Sequence, residues 1–348
     1  MAGTITYAKV NEQWRLAARP IGRVKETDFE WREEQIPELA DGQILVRNVY
    51  LSLDPTNRVW MDPIETYLPM LQLGAVMRGI CLGAVEASRN PQYAVGDVVQ
   101  GTGGWQQYYA GDANGWSKLP RVPGVALTAW FGAMGHIGFT AYFGLSDIGQ
   151  PKLGETLLVT AAAGAVGSLV GQIGKIAGCR VVGIVGTDEK CAWITRELGF
   201  DAAINYKKEI LRVALRRACP KGVDIDFENV GGDILDAVLS QINLHGRVVL
   251  CGMISQYNTG AKPKPPTSFG NILMKRARIE GFIVTDYASR FPEAAAKIIG
   301  WLQEGKLKYR IDMVEGLRAA PAALNKLFDG TNTGKLLVKV SDEPAVPR

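Results

Sequence analysis

The chain has 348 residues, of which 47% are hydrophobic and 21% charged, a composition that accommodates two globular domains and excludes a disordered protein. Its formal net charge is only +4. The basic residues are spread along the chain without a long basic run, so neither a nucleic-acid partner nor a membrane surface is indicated.

The cysteines and apolar stretches predict the compartment. No apolar stretch reaches the roughly 18 residues that a membrane-spanning helix needs, and the N-terminal segment lacks the apolar core of a signal peptide. The five cysteines include no Cys-x-x-Cys pair, and their odd number is typical of free thiols in a reducing compartment. We therefore expect a cytoplasmic protein.

Residues 1–125 are predicted to be rich in β-structure. Short apolar runs such as Ile44–Tyr50 and Asp97–Gly101 are separated by Gly, Pro and Asp. Six prolines between positions 55 and 123 disfavour long helices here.

Residues 126–290 show strands alternating with helices. The predicted helices are Gly164–Ala177 and Glu189–Leu198. The predicted strands are Thr156–Thr160, Arg180–Val185, Ala202–Asn205, Val223–Phe227, Arg247–Cys251 and Ile279–Val284. Apolar strands joined by helices predict a parallel sheet covered on both faces, in a doubly wound arrangement.

Residues 291–348 return to a mixed pattern. Helices are predicted at Pro292–Gln303 and Ala319–Phe328, and a closing strand at Lys335–Val340. We expect this tail to pack on the first region. The predicted fold is thus α/β, with a doubly wound dinucleotide-binding domain inserted into a discontinuous, β-rich catalytic domain.

The turn after the first of these strands, Ala161–Gly167, has the pattern of a phosphate-binding loop. It matches Gly-x-Gly-x-x-Gly, with Ala162 in the first position and Gly164 and Gly167 in the others. Small residues let the backbone approach a pyrophosphate, and the following helix offers free N–H groups. A strand before and a helix after the turn favour dinucleotide binding over a purely structural turn.

The end of the second strand indicates which dinucleotide binds. NAD-binding folds carry an acid there that holds the ribose 2′-hydroxyl, but here the position is Gly186. Asp188 and Glu189 come later and suit the start of a helix. Lys190 could face a 2′-phosphate or be an ordinary surface lysine. The missing acid favours NADP(H).

A metal site is not expected. The chain has two histidines, His136 and His245, and no cysteine cluster. Zinc-dependent dehydrogenases of this architecture carry Gly-His-Glu-x-x-Gly-x-Val, whereas residues 78–85 read RGICLGAV. Gly79 therefore stands where the ligand histidine would be.

Several longer motifs resemble one family. The stretch AAAGAVGSLVGQIGKIAGCRVVGIVG (161–186), ENVGG (228–232), CGMISQYN (251–258) and NTGKLLVKV (332–340) are similar to the zinc-independent medium-chain dehydrogenase/reductases of the leukotriene 12-hydroxydehydrogenase/prostaglandin reductase family. That family includes plant alkenal double-bond reductases and bacterial curcumin reductase. The resemblance covers nearly the whole chain and implies a GroES-like catalytic domain, NADPH as cofactor and a homodimer.

The resemblance also implies a set of cofactor contacts, distributed over several turns. They are Gly164, Ala165, Val166 and Gly167 at the pyrophosphate, Lys190 and Tyr206 at the 2′-phosphate, Asn229, Cys251, Gly252 and Tyr257 along the path to the nicotinamide, Phe282, Ile283 and Val284 at the nicotinamide, and Asn332 from the C-terminal segment.

The predicted activity is reduction of the carbon–carbon double bond of an α,β-unsaturated ketone or aldehyde. Without a metal, a hydroxyl is the simplest group to stabilise charge on the carbonyl oxygen, and Tyr257 is the candidate. Alternatively, Tyr257 only packs on the cofactor, and the cofactor's own 2′-hydroxyl donates. A quinone reductase, an alcohol dehydrogenase and a non-catalytic NADPH-binding protein remain rival interpretations.

The predicted substrate pocket is apolar with few polar groups. Tyr50, Tyr67 and Met134 are candidate lining residues, although each could equally belong to the core. Asp54 and Arg58 could form a buried ion pair that shapes the site, or a charge pair on a surface turn.

Overall fold

The computed structural model describes residues 10–120, 122, 124–259 and 265–344. The chain divides into two compact units. The first runs to Ala126 and also includes Asp312–Thr331 and the residues from Leu336 onward. The second consists of Leu127–Ile311 and Asn332–Lys335.

The N-terminal part of the first unit is composed mainly of strands. Its elements are β1 (Val10–Leu16), β2 (Phe29–Gln35), β3 (Gln43–Ser52), the short helix α1 (Thr56–Val59), β4 (Cys81–Ser88), β5 (Val98–Gly101), β6 (Tyr108–Asp112) and β7 (Ser117–Lys118).

The second unit begins with helices and then alternates strands with helices. Its elements are α2 (Ala129–Gly132), α3 (Gly135–Phe143), a π-helical segment (Gly144–Gly149), β8 (Thr156–Val159), α4 (Ala165–Ile176), β9 (Arg180–Val185), α5 (Asp188–Arg196), β10 (Ala202–Asn205), α6 (Leu211–Ala218), β11 (Val223–Glu228), α7 (Gly232–Leu239), β12 (Ile242–Leu250), α8 (Gly270–Lys275), β13 (Arg278–Gly281) and α9 (Phe291–Gln303).

The C-terminal part of the chain adds two strands and a helix to the first unit. They are β14 (Ile311–Glu315), α10 (Ala320–Asp329) and β15 (Lys335–Lys339). The main sheet of that unit has the order β14-β15-β3-β4-β5-β7, with β6 also paired to β3, and β1 pairs with β2 separately. The core of the unit combines buried residues from both ends of the chain, such as Trp14, Leu51 and Leu336. The discontinuous β-rich domain is therefore confirmed.

The second unit contains a six-stranded sheet of order β10-β9-β8-β11-β12-β13. All five strand pairings are parallel. The strand order reverses at β8, and ligands of doubly wound sheets bind at the carboxyl ends of the strands at this reversal. The predicted doubly wound fold is confirmed, and the site is expected at this edge.

The second unit extends further along the chain than residue 290, the end expected from the sequence. Helix α9 packs within it, since the ring of Phe291 stacks on Phe139 at 4.5 Å between centroids and Ile298 is fully buried. The chain consequently leaves this unit after Ile311, about one helix later than the change in sequence pattern indicated.

Candidate functional site

The turn between β8 and α4 is built for close approach of a ligand. Ala161 adopts a left-handed backbone conformation (φ 48°), and α4 starts directly after Gly164, which provides no side-chain cap. The first N–H groups of α4 therefore face the carboxyl edge of the sheet. A Cβ on Gly167 would lie 2.5 Å from the carbonyl oxygen of Ala161. Only glycine allows the helix to start this close to the turn.

The C-terminal segment lies against the same turn. The Gly334 N–H donates to the carbonyl of Ala163 at 2.9 Å, and Gly334 forms a parallel β-bridge with Gly164. Asn332 is buried and its Nδ2 donates to the Gly334 carbonyl at 3.1 Å. Asn332 therefore lies close to the phosphate-binding turn, where it would have to lie to contact the cofactor.

The ends of β9 and β10 form a basic, open corner. A Cβ on Gly186 would lie 3.3 Å from both the Tyr206 ring and the Lys207 side chain. Tyr206 is 40% exposed, and Lys207 Nζ lies 6.0 Å from the centre of its ring. Sequence reasoning overlooked Lys207, although the run Tyr-Lys-Lys was visible. The corner therefore presents a hydroxyl and an ammonium group where NAD-binding folds present an acid.

The nearby acid Asp188 is engaged elsewhere. Its carboxylate pairs with Lys208 and accepts from Asn205 Nδ2 at 2.6 Å, and these two contacts lower its pKa. It lies in the first turn of α5, where a negative charge also suits the helix dipole. Lys190 is in the same turn, and its N–H donates to Thr187 Oγ1 at 3.2 Å. The local charge at this corner favours a 2′-phosphate over a 2′-hydroxyl.

The ends of β8 and β11 are joined by a buried hydrogen-bond network. Glu228 Oε1 accepts from the Thr160 hydroxyl at 2.8 Å, from the Gly231 N–H at 2.9 Å and from the Val230 N–H. Thr160 Oγ1 accepts from the Asn229 N–H at 2.7 Å, and Asn229 Nδ2 donates to the Thr160 carbonyl at 2.8 Å. Asn229 therefore fixes the turn that it was predicted to line.

The turn after β12 is bonded to the same network and carries Tyr257. The N–H groups of Cys251 and Gly252 donate to the Glu228 carbonyl at 2.9 and 3.1 Å. The Met253 N–H donates to the Tyr257 hydroxyl at 3.1 Å, which holds that hydroxyl over the turn. Burial, and secondarily the charge of Glu228, raises the pKa of the Cys251 thiol to about 12, so this thiol is not a nucleophile.

Glu228 and Asp226 form a carboxyl pair that sequence reasoning did not predict. Both are fully buried and lie two residues apart on β11, hence on the same face of the strand. Burial, and then the charge of Glu228, raises the pKa of Asp226 far above its usual range. Burial also raises the pKa of Glu228, against the opposing effect of its hydrogen bonds. The visible signal was the alternation of acids in the otherwise apolar strand VDIDFE.

Phe282, Ile283 and Val284 follow β13 at the same edge of the sheet. All three are half-buried. The Phe282 ring packs edge-on against Tyr287 at 6.3 Å between centroids, and the Ile283 carbonyl accepts from the Asp286 N–H at 3.0 Å. Their backbone is therefore held in place, as a support for the nicotinamide would require.

The three candidate pocket residues lie in different surroundings. Met134 is fully buried in the second unit, and Tyr50 is buried in the first with its hydroxyl donating to Glu343 at 2.7 Å. Tyr67 is 48% exposed. Of the three, only Tyr67 presents a large surface to a ligand.

Among the described residues, Arg58 forms its ion pair with Asp62 and not with Asp54. Arg58 instead pairs with Asp62 at 2.6 Å and also donates to the carbonyls of Pro20 and Gly22, while Ser52 donates to Asp54. Asp62 lies four residues after Arg58, in the turn that follows α1, and this spacing brings the two side chains together. The arginine is thus a structural residue of the first unit.

The position of the zinc-ligand histidine is sterically closed. A Cβ on Gly79 would lie 2.6 Å from Leu51 Cδ1 and 2.8 Å from Trp105 Cδ1. Within the described ranges, no group of three His, Cys, Asp or Glu residues could hold a metal ion. No helix of the described chain is long and apolar enough to cross a bilayer.

Two family models match the chain. Residues 12–119 match an N-terminal domain of oxidoreductases, and residues 165–300 match the dehydrogenase domain described as zinc-binding. These matches agree with the fold and with the phosphate-binding turn. Together they define a medium-chain dehydrogenase/reductase.

Individual relatives narrow the assignment. The chain is 42% identical to NADPH-dependent curcumin reductase of Escherichia coli, covering 96% of this chain and 98% of the relative. It is 41% identical to the NADP⁺-dependent 2-alkenal reductase of Nicotiana tabacum, covering 96% and 98%. The crystal structure of CurA from Vibrio vulnificus in complex with NADPH superposes with a TM-score of 0.91 at 43% identity, covering 95% and 100%.

The chain belongs to the family of NADPH-dependent reductases that contains curcumin reductase, 2-alkenal reductase and prostaglandin reductase 1. It is therefore an oxidoreductase, and the family predicted from the sequence motifs is confirmed.

Proposed function

We propose that the protein reduces the carbon–carbon double bond of α,β-unsaturated ketones and aldehydes with NADPH. The observation that carries this proposal is the shared edge of the sheet. A phosphate-binding turn, a basic corner without an acid and an oriented tyrosine hydroxyl all lie at the carboxyl ends of the strands. The names of the 2-alkenal and curcumin reductases support the substrate class.

The residues of this edge fit NADPH. The glycine turn with the uncapped helix start would hold the pyrophosphate, and Lys190, Tyr206 and Lys207 would hold the 2′-phosphate. Asn229, the turn at Cys251 and Gly252, the segment 282–284 and Asn332 would line the rest of the cofactor. The chemistry supplied by bound NADPH is donation of a hydride to the β-carbon of the substrate.

Tyr257 has the chemistry for the second half of the reaction. As the double bond is reduced, charge grows on the carbonyl oxygen and the α-carbon takes up a proton. A phenol hydroxyl stabilises such an oxygen by donating a hydrogen bond. The N–H of Met253, donated to the Tyr257 oxygen, orients the phenol and stabilises the charge that donation shifts onto it. Tyr67, which is 48% exposed, stays a proposed contact for the substrate.

The test is NADPH consumption against a matched panel of a trans-2-alkenal, an enone, the corresponding saturated ketone and a quinone, with NADH in parallel. We expect turnover of the alkenal and the enone, none of the saturated ketone, and a clear preference for NADPH. Turnover of the quinone alone would assign a quinone reductase instead, and tight NADPH binding without any turnover would assign a non-catalytic protein.

We also propose that the protein is cytoplasmic, because its free thiols stay reduced there.

We further propose that two copies form a homodimer through β13. β13 ends the strand order of the sheet and is largely exposed, and nearby Leu273 and Met274 on α8 are 79% and 69% exposed. An open strand edge beside apolar side chains suits pairing with a second copy. Leu273→Glu should shift sedimentation toward a monomer, whereas Leu153→Glu, at another exposed leucine, should not.

A further inference from the structure

The buried carboxyl pair on β11 retains a charge. Two carboxyls that interact in a buried site cannot both ionise, so one proton remains on the pair at neutral pH. Asp226 is the better place for this proton, because burial and the charge of Glu228 raise its pKa and no N–H of the described residues donates to its oxygens. Glu228 is the better place for the negative charge, since the Thr160 hydroxyl and two backbone N–H groups donate to its Oε1.

This charge has no cationic partner within the described chain. No Lys or Arg there forms an ion pair with either carboxyl, and Glu228 Oε2 lacks a donor as well. Keeping an unpaired ion in a protein interior is costly, and an apolar pair of similar size would be easier to accommodate. A structural role alone does not require the charge, because a neutral amide at position 228 could also accept these hydrogen bonds.

The location of Glu228 indicates what the charge acts on. Its carbonyl accepts from Cys251 and Gly252, and its carboxylate accepts from Val230 and Gly231. The charge therefore lies directly beneath the two turns that would line the cofactor on the way to the nicotinamide. The nicotinamide ring carries a formal positive charge in NADP⁺ and none in NADPH, so a nearby anion distinguishes the two.

We infer that the Glu228 carboxylate, with Asp226 as its proton-bearing neighbour, selectively stabilises the oxidised cofactor and so favours hydride donation to the substrate. This inference rests on the proposed use of NADPH at this edge. It makes Glu228 a tuning residue that acts through the electrostatic field, without touching the reacting atoms.

The test measures dissociation constants of NADPH and NADP⁺ by titration, without turnover. Asp226→Asn is the matched control, because it removes the proton carrier and leaves the charge on Glu228. The double variant Asp226→Asn/Glu228→Gln has nearly the same shape and no charge. From the control to the double variant, we expect NADP⁺ binding to weaken on the order of tenfold, the effect of one unit charge acting through a protein interior. NADPH binding should change by less than about twofold.

Equal weakening of both cofactors in the double variant would overturn the inference, since it would show that Glu228 only shapes the turns. No change in either would overturn it too. If the double variant does not fold, Glu228→Gln alone should still weaken NADP⁺ more than NADPH, and an equal effect on both would again refute the charge effect.

Failure of the Glu228 inference can be distinguished from failure of the proposed enone reduction. Wild-type protein that binds both cofactors and reduces no enone would contradict the proposed substrate. The ratio of NADP⁺ to NADPH affinity in the variants would still test the effect of Glu228. Wild-type protein that binds neither cofactor would overturn both.

Discussion

The phosphate end and the nicotinamide end of the candidate site are built differently. At the pyrophosphate turn, backbone N–H groups and the absence of side chains leave room for the ligand, and the turn itself is one continuous stretch, Ala161–Gly167. At the nicotinamide end, the Thr160 hydroxyl after β8 donates to Glu228 at the end of β11, and the backbone N–H groups of Cys251 and Gly252 after β12 donate to the Glu228 carbonyl. Tyr257 lies on that turn, where its hydroxyl accepts from the Met253 N–H. The glycine turn depends on open space beside the backbone, whereas the nicotinamide end depends on hydrogen bonds. Substitutions at the turn should therefore change cofactor affinity, and substitutions in the network should change stability.

The largest effect is expected at the phosphate end. Gly167→Val places side-chain atoms against the Ala161 carbonyl, only 2.5 Å from a Cβ, and should push the helix start away from the turn. We expect NADPH affinity to fall by about 100-fold or more, as measured by titration.

Gly300→Ala is the control, because it lies in α9 with nothing within 4 Å of its Cβ. It should leave affinity unchanged and raise helix stability slightly. Retention of NADPH affinity in Gly167→Val would show that the close approach is not needed.

A substitution in the hydrogen-bond network at the nicotinamide end should lower the free energy of unfolding. Thr160→Val keeps the shape but removes the hydroxyl that donates to Glu228 and accepts from the Asn229 N–H. The free energy of unfolding should fall by about 1–3 kcal/mol, because buried groups lose their partners. Thr195→Val, whose hydroxyl bonds only to carbonyls of its own helix, should cost less in the same denaturant titration. Similar losses in both variants would argue against a special role for the network.

The proposed proton donor predicts a kinetic effect. Tyr257→Phe removes the hydroxyl but keeps the ring, so turnover of an enone should fall about 10-fold or more. NADPH affinity should change little. Steady-state kinetics give both values, and unchanged kcat would leave the cofactor's 2′-hydroxyl as the donor.

The smallest effect is expected at the exposed basic corner. Lys207→Gln removes one ammonium group near Tyr206, and the dissociation constant of NADPH should rise about three- to tenfold at low salt. Binding of NADH, which lacks the 2′-phosphate, should stay the same. An equal loss for both cofactors would place Lys207 outside the 2′-phosphate site.

The same contrast explains what could be predicted from the sequence. The glycine turn and the apolar strands were recognised because their signal is local. The segment Gly135–Phe143 was missed as a helix, because its apolar residues and glycines cover all faces and give no 3.6-residue period. Helices α6 and α7 were also overlooked.

The long-range contacts were beyond sequence reasoning. Arg58 could pair with Asp54 or Asp62 by spacing alone, and only the fold of α1 and the turn after it selects Asp62. The Asp226–Glu228 pair was not recognised, although the strand itself was, because the spacing of two acids on one face does not show that they interact in a buried site. The bond between Gly334 and the phosphate-binding turn joins residues about half the chain apart, and no local pattern encodes it.

The crowding at Gly79 limits which side chains this position can accept. A histidine at this position would collide with Leu51 and Trp105, so Gly79→His could not supply a zinc ligand without damage to the core. The bulky neighbours would first have to shrink, and each such change would itself open a destabilising cavity. Glycine at position 79 is therefore entrenched, because a zinc ligand here would demand several compensating substitutions at once.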